Sequence, residues 1–149
     1  MLLVLAVCAA PVIASYLTYF VFRPDGRTNY ATLIEPLRPI PRELPLVDLR
    51  GERIEPASLK GNWMLVVVAG GACDAGCEKH LWLQRQLRET LGRDRDRLDK
   101  LWLVPDEATP RAETLQAIGG PAPTQVLRVD PVALAEWLAP APGHGLAQH

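Results

Sequence analysis

Hydrophobic residues are spread unevenly along the chain. Residues 1–22 read MLLVLAVCAAPVIASYLTYFVF without one charged side chain, and Arg23 ends the run. A helix of that length reaches about 33 Å, enough for a hydrocarbon core of about 30 Å. Tyr16, Tyr19 and Phe20 gather toward one end, as interfacial aromatics do, and Pro11 predicts a kink that lipid-embedded helices tolerate. The pattern predicts a transmembrane anchor over 1–22. A cleaved secretory signal competes with it, opposed by the length of the run and by the lack of a small-x-small site before Arg23.

Between Arg23 and Pro45 stand Pro24, Pro36, Pro39, Pro41 and Pro45, which forbid helix and predict an extended linker over 23–45. From residue 46 to 149 the pattern is that of a folded domain. Leu46 to Leu49 and Glu52 to Ile54, around Arg50 and Gly51, predict a short hairpin. Trp63 to Ala69 is a continuous apolar, β-branched run, which predicts a strand buried on both faces; Gly70 and Gly71 end it. From Asp74 to Leu91 the period is helical, with Cys77, Leu81, Gln84, Leu87 or Arg88, and Leu91 on one face. Leu101 to Val104 predicts a second buried strand. Thr109 and Pro110 suit the cap and first residue of a helix to Ile118. Thr124 to Val129 then predicts a strand, and Val132 to Leu138 a short helix. Alternating strands and helices predict an α/β fold, a central sheet flanked by helices. The residues after Leu138 form a loop rich in proline and glycine, where a sheet domain seldom ends, so a further strand pair is expected to be missing.

Composition narrows the function. With 149 residues there is no room for two full-sized domains after the anchor. The 16 basic and 17 acidic side chains give a net charge of −1, which argues against a nucleic-acid surface. No phosphate loop or dinucleotide fingerprint occurs. Ser15 lies in the apolar run and Ser58 has no hydrolase motif around it. Orientation is contested: Arg23 and Arg27 follow the span and no basic residue precedes it, which taken literally favours a cytosolic domain.

Three cysteines are too few for a disulfide-stapled scaffold, but two of them are informative by position. Cys73 and Cys77 sit where the first long strand meets the first long helix. Side chains four apart share a helix face, so both sulfurs can converge on one point. The free N–H groups and dipole of a helix start favour thiolate over thiol, the form that metal binding and disulfide exchange both require. Gly70, Gly71 and Gly76 would let a ligand or partner approach over open solvent. Two bland alternatives stand beside this: small apolar residues in a packed junction, or a purely structural disulfide. His144 and His149, near the end in a polar loop, could add an imidazole to the thiolates, a soft donor set suited to copper and an incomplete one for zinc. His80, one turn after Cys77, could lower the thiol pKa or join the site, but is more simply expected to be a solvated helix residue; Trp82 and Trp102 are expected in the core, and Cys8 in lipid.

Leu59-Lys60-Gly61-Asn62-Trp63, then strand, glycine turn, Cys-x-x-x-Cys and long helix, resemble the SCO/SenC family. These are membrane-anchored, thioredoxin-like proteins that handle copper for cytochrome c oxidase assembly. Val104 to Pro110 resembles the family's segment after the second core strand. The resemblance spans roughly 46–149 and implies a thioredoxin-like domain with Cys73 and Cys77 as copper ligands. It implies a third ligand from a histidine in a late loop, a place that His149 fits best. Departures are visible: Asp74 and Glu78 stand where the family usually has proline, Val68 to Gly71 replaces an aromatic-rich strand end, and Gln148 replaces an aspartate.

Three functions compete. The first is a metallochaperone holding copper with Cys73, Cys77 and His149 and passing it to a respiratory oxidase subunit or another copper or thiol protein. The second is a membrane-tethered thiol–disulfide oxidoreductase with Cys73 and Cys77 as catalytic residues and no need of a histidine. The third is a non-catalytic assembly factor. The cysteine pair favours an exported domain, so the expected location is the bacterial inner membrane, single-pass, with the domain facing the periplasm.

Overall fold

The computed structural model describes residues 1–22, 34 and 36–139. Two compact units divide the chain, 1–36 and 37–149.

In the first unit, α1 (Leu2–Leu17) carries Pro11 inside it and continues as a π-helical turn, Thr18–Phe22. Thr18 Oγ1 donates back to the carbonyl of Ala14 at 2.8 Å. Leu3–Phe22 has a mean hydropathy of 2.0 over its most apolar window and is long and apolar enough to cross a membrane.

In the second unit, β1 (Leu46–Asp48) and β2 (Arg53–Ile54) form the expected hairpin. Asp48 fixes its turn, one carboxylate oxygen accepting from the N–H groups of Arg50 and Glu52 at 2.8 Å each. Next come β3 (Trp63–Val68), α2 (Ala75–Thr90), β4 (Leu98–Val104), α3 (Ala112–Ile118), β5 (Gln125–Val129) and α4 (Pro131–Leu138). The sheet order is β2-β1-β5-β4-β3, parallel for β3–β4 and β4–β5 and antiparallel for β1–β5 and β1–β2. The α/β sheet flanked by helices stands as expected.

Alternation along β4 sorts the core into two faces. Leu101 and Leu103 join Leu44, Leu46, Leu59, Leu127, Val129 and Leu134 on one side. Trp102 and Val104 join Ala69, Cys73, Cys77, Leu81 and Ile118 on the other. Gln84 of α2 is buried and ties two strands together, donating to the carbonyls of Leu65 (2.5 Å) and Leu101 (3.0 Å).

Several expectations change. β3 is the outer strand of the described sheet and is only half-buried, with Trp63 73% exposed; a continuous apolar run did not mean two covered faces. β4, an inner strand between β5 and β3, starts at Leu98, earlier than its apolar tetrad suggested. α3 begins at Ala112 with Arg111 as its cap residue, so Thr109 and Pro110 lie in the loop before it. Trp102 is fully buried, but Trp82 is 58% exposed: the buried line of α2 is Cys77, Leu81, Gln84 and Arg88, and Trp82 stands 100° around from Leu81. His80 is half-buried beside β3 instead of solvated. The end of the proline-rich segment belongs to the domain, because Leu44 is buried and Ile40 packs against the same cluster.

Candidate redox site

The site is the junction from β3 into α2. Ala69 is held on both sides: its N–H donates to the carbonyl of Leu103 (3.2 Å), and its carbonyl accepts from the indole Nε1 of Trp102 (3.0 Å). Gly70 and Gly71 follow because there is no room for anything larger. A Cβ at Gly71 would run into the backbone carbonyl of Ala108, and one at Gly70 into the carboxylate of Asp106. Asp106 Oδ1 accepts from the N–H of Gly71 (2.9 Å) and of Ala108 (3.2 Å), so one carboxylate fastens the loop after β4 to the turn after β3. The glycines therefore serve close packing inside the protein, where the sequence suggested access for a ligand.

Cys73 closes that turn, its N–H donating to the carbonyl of Gly70 at 3.1 Å, and it adopts φ +43°. A left-handed backbone at a non-glycine residue costs about 1–3 kcal/mol and persists only where the surroundings impose it. Asp74 is the N-cap of α2, its carboxylate accepting from the N–H of Cys77 at 2.9 Å. That bond occupies one of the free N–H groups expected to favour a thiolate, and it brings a negative charge to the helix start. Glu78 adds a second carboxylate in the first turn.

Cys73 and Cys77 are bonded to each other as a disulfide, with Cα atoms 5.2 Å apart. The expected convergence of the two sulfurs is found; the expected opening to solvent is not. Cys73 is 3% and Cys77 2% exposed, packed in the cluster with Leu81, Trp102, Val104 and Ile118. Their chain neighbours Ala72, Asp74 and Ala75 are exposed.

Arg111 completes the site and was not singled out from the sequence. Its Nη2 donates to the carbonyl of Cys73 and to Glu78 Oε1, each at 2.6 Å, across 38 and 33 positions of chain. No local pattern announces such a residue. Among the described residues no group of three or more His, Cys, Asp and Glu side chains is placed to hold a metal. His144 and His149 lie outside the described residues. Cys8, the third cysteine, is a free thiol on α1.

Residues 63–137 match the family model described as "Transmembrane-like, thioredoxin-like, C-terminal domain". The chain belongs to that family. No curated protein matches it. Among solved structures, a proposed electron transfer protein from Aquifex aeolicus VF5 matches with a TM-score of 0.50 at 18% identity, over 68% of this chain and 69% of that one. ScoI from Bradyrhizobium japonicum, a structure with copper bound, matches with a TM-score of 0.46 at 20% identity, over 64% of this chain. The chain spans 62% of the length of that ScoI chain. The domain is thioredoxin-like, by the family model and by its own sheet and helices, with the cysteine pair at the strand-to-helix junction.

Proposed function

We propose that this chain is a membrane-anchored, thioredoxin-like thiol–disulfide protein whose Cys73–Cys77 couple does the chemistry. The observation that carries this is the bonded pair at the start of α2, the oxidised half of a two-electron couple. The anchor is Leu3–Phe22, and the domain faces the periplasm, since disulfides persist in oxidising compartments. Exchange needs the buried pair to be uncovered first, by a local opening of the turn before α2; a partner's thiolate then attacks one sulfur, the S–S bond breaks, and the other sulfur leaves as a thiolate. The partner's second thiol then resolves the mixed disulfide. One disulfide is reduced, one dithiol is oxidised, and two protons pass with the electrons.

The test is the reduction potential of the full chain in detergent, read by equilibration with glutathione and alkylation of free thiols. A potential between about −120 and −270 mV, the range of exchange proteins, is expected. A value below about −300 mV marks an inert structural disulfide and overturns the reading.

A copper role is the second reading, supported by two soft sulfur donors at one point and by the SCO/SenC resemblance of residues 59–63 and 73–77. In the reduced state Cys73 and Cys77 would hold copper as cargo, with His149 as the third donor, for delivery to a respiratory oxidase subunit. Reduced full chain should then bind one copper more tightly than about micromolar and lose it in Cys73→Ser or Cys77→Ser. His149→Ala should weaken copper binding and leave disulfide exchange intact, which separates the two roles.

A further inference from the structure

Arg111 is the residue whose placement asks for more than packing. Its guanidinium is half-exposed and yet tied to two fixed points, the backbone carbonyl of Cys73 and the carboxylate of Glu78. The residue it grips has a left-handed backbone, shared among the described non-glycine residues only with Ala139. Its own position is fixed in turn, because it is the cap residue of α3 and follows the loop that Asp106 fastens to Gly71. Arg111 therefore brings a cation to the Cys73 carbonyl, and Glu78, in the first turn of α2, pairs with it.

We infer that Arg111 and Glu78 form a charge pair that sets the redox balance of Cys73–Cys77, with Arg111 as a positioning residue that holds a cation at the Cys73 backbone. This rests on the exchange role proposed above. When a partner dithiol breaks the S–S bond, negative charge develops on the displaced sulfur, in a nearly water-free cluster. A fixed cation favours that charge and so the reduced form, which makes the disulfide the stronger oxidant. A carboxylate in the first turn of α2 acts in the opposite sense.

The pair can be broken from either side, and that decides between a structural brace and an electrostatic device. Arg111→Met removes the cation and should lower the potential; Glu78→Gln removes the anion and should raise it. Each shift should be about three- to tenfold in the exchange constant with glutathione at pH 7, or about 15–30 mV at about 30 mV per tenfold. Arg111→Lys keeps the charge and loses the planar fork, so it should fall between wild type and Arg111→Met. The measurement uses the full chain in detergent, with thermal unfolding of the oxidised and reduced forms alongside. Opposite shifts support the inference. Shifts of one sign in both variants, or no shift in either, overturn it and leave a brace that only holds the loop. Should Arg111→Met fail to fold, Glu78→Gln and Arg111→Lys still give the two signs. A wild-type potential below about −300 mV would defeat the exchange role itself, and the contrast in sign would remain readable with a stronger dithiol reductant.

Discussion

Arg38 and Trp137, 99 positions apart, hold each other by two hydrogen bonds. Arg38 Nη1 donates to the carbonyl of Trp137 at 3.2 Å, and the indole Nε1 of Trp137 donates to the carbonyl of Arg38 at 3.3 Å. The segment before β1 is thereby strapped across the end of α4, and its Leu44 is sealed into the core at 4% exposure. Leu44→Ala should cost about 2–5 kcal/mol, as other buried leucines do. Arg38→Ala, which removes one exposed donor, should cost about 1 kcal/mol. Denaturant unfolding checks both. A Leu44→Ala variant as stable as wild type would show that the strap is a passive spacer.

The turn before Cys73 yields a contrast between neighbouring glycines. At Gly71 a methyl group meets the backbone carbonyl of Ala108, which can move only if the loop carrying Asp106 moves too. At Gly70 it meets Oδ2 of the Asp106 side chain, which gives way more easily than backbone even though Oδ1 holds the N–H groups of Gly71 and Ala108. Gly71→Ala should therefore lose about 3 kcal/mol or more, and Gly70→Ala distinctly less. Thermal unfolding of the two variants in the oxidised state gives the order, and the reverse order would contradict the packing described.

At the start of α2 the cap itself can be tested. Asp74→Ala deletes the acceptor for the Cys77 N–H and should cost about 1 kcal/mol, whereas Asp74→Asn keeps an oxygen there and should cost little. Equal losses in the two variants would mean that charge, and not the hydrogen bond, holds the helix start.

Local chemistry was legible in the sequence and long-range pairing was not. Cys73 and Cys77 could be placed together because both sit within one turn of a single helix start. β1 and β2 announced themselves by the Arg50-Gly51 turn between them, and β5 by its β-branched residues between turn residues. The burial of β3 was overestimated, because WMLVVV looks more buried than LDKLWLV although the first lies at the edge and the second is the inner strand. Asp99 and Lys100 hid its beginning. The cover over the sulfurs depends on Ile118, Trp102 and Leu81 meeting in space, and the clamp depends on Arg111 returning from beyond β4. Neither follows from periodicity, which reports which way a side chain faces and not what faces it.

Lys100 makes the last test, because it is a cation on the same side of β4 as Trp102, with 5% of its surface exposed. Burial lowers its pKa below the usual 10.5, the cations of Arg88 and Arg85 lower it further, and Glu89 opposes them. In the unfolded chain the ammonium keeps its proton to about pH 10.5, while the folded protein releases it at lower pH. Between those two points the unfolded state binds more protons, so stability rises with pH. Below the folded pKa both states are charged, and the full penalty of burying the cation remains. Lys100→Met should therefore be more stable than wild type at pH 7, with the advantage shrinking as pH climbs toward 10.5. Denaturant midpoints for the two proteins over that range read the difference directly, and groups that titrate alike in both cancel. A variant less stable at pH 7, or an advantage that stays flat with pH, would mean that the ammonium finds water or a counter-charge the packing of β4 does not reveal.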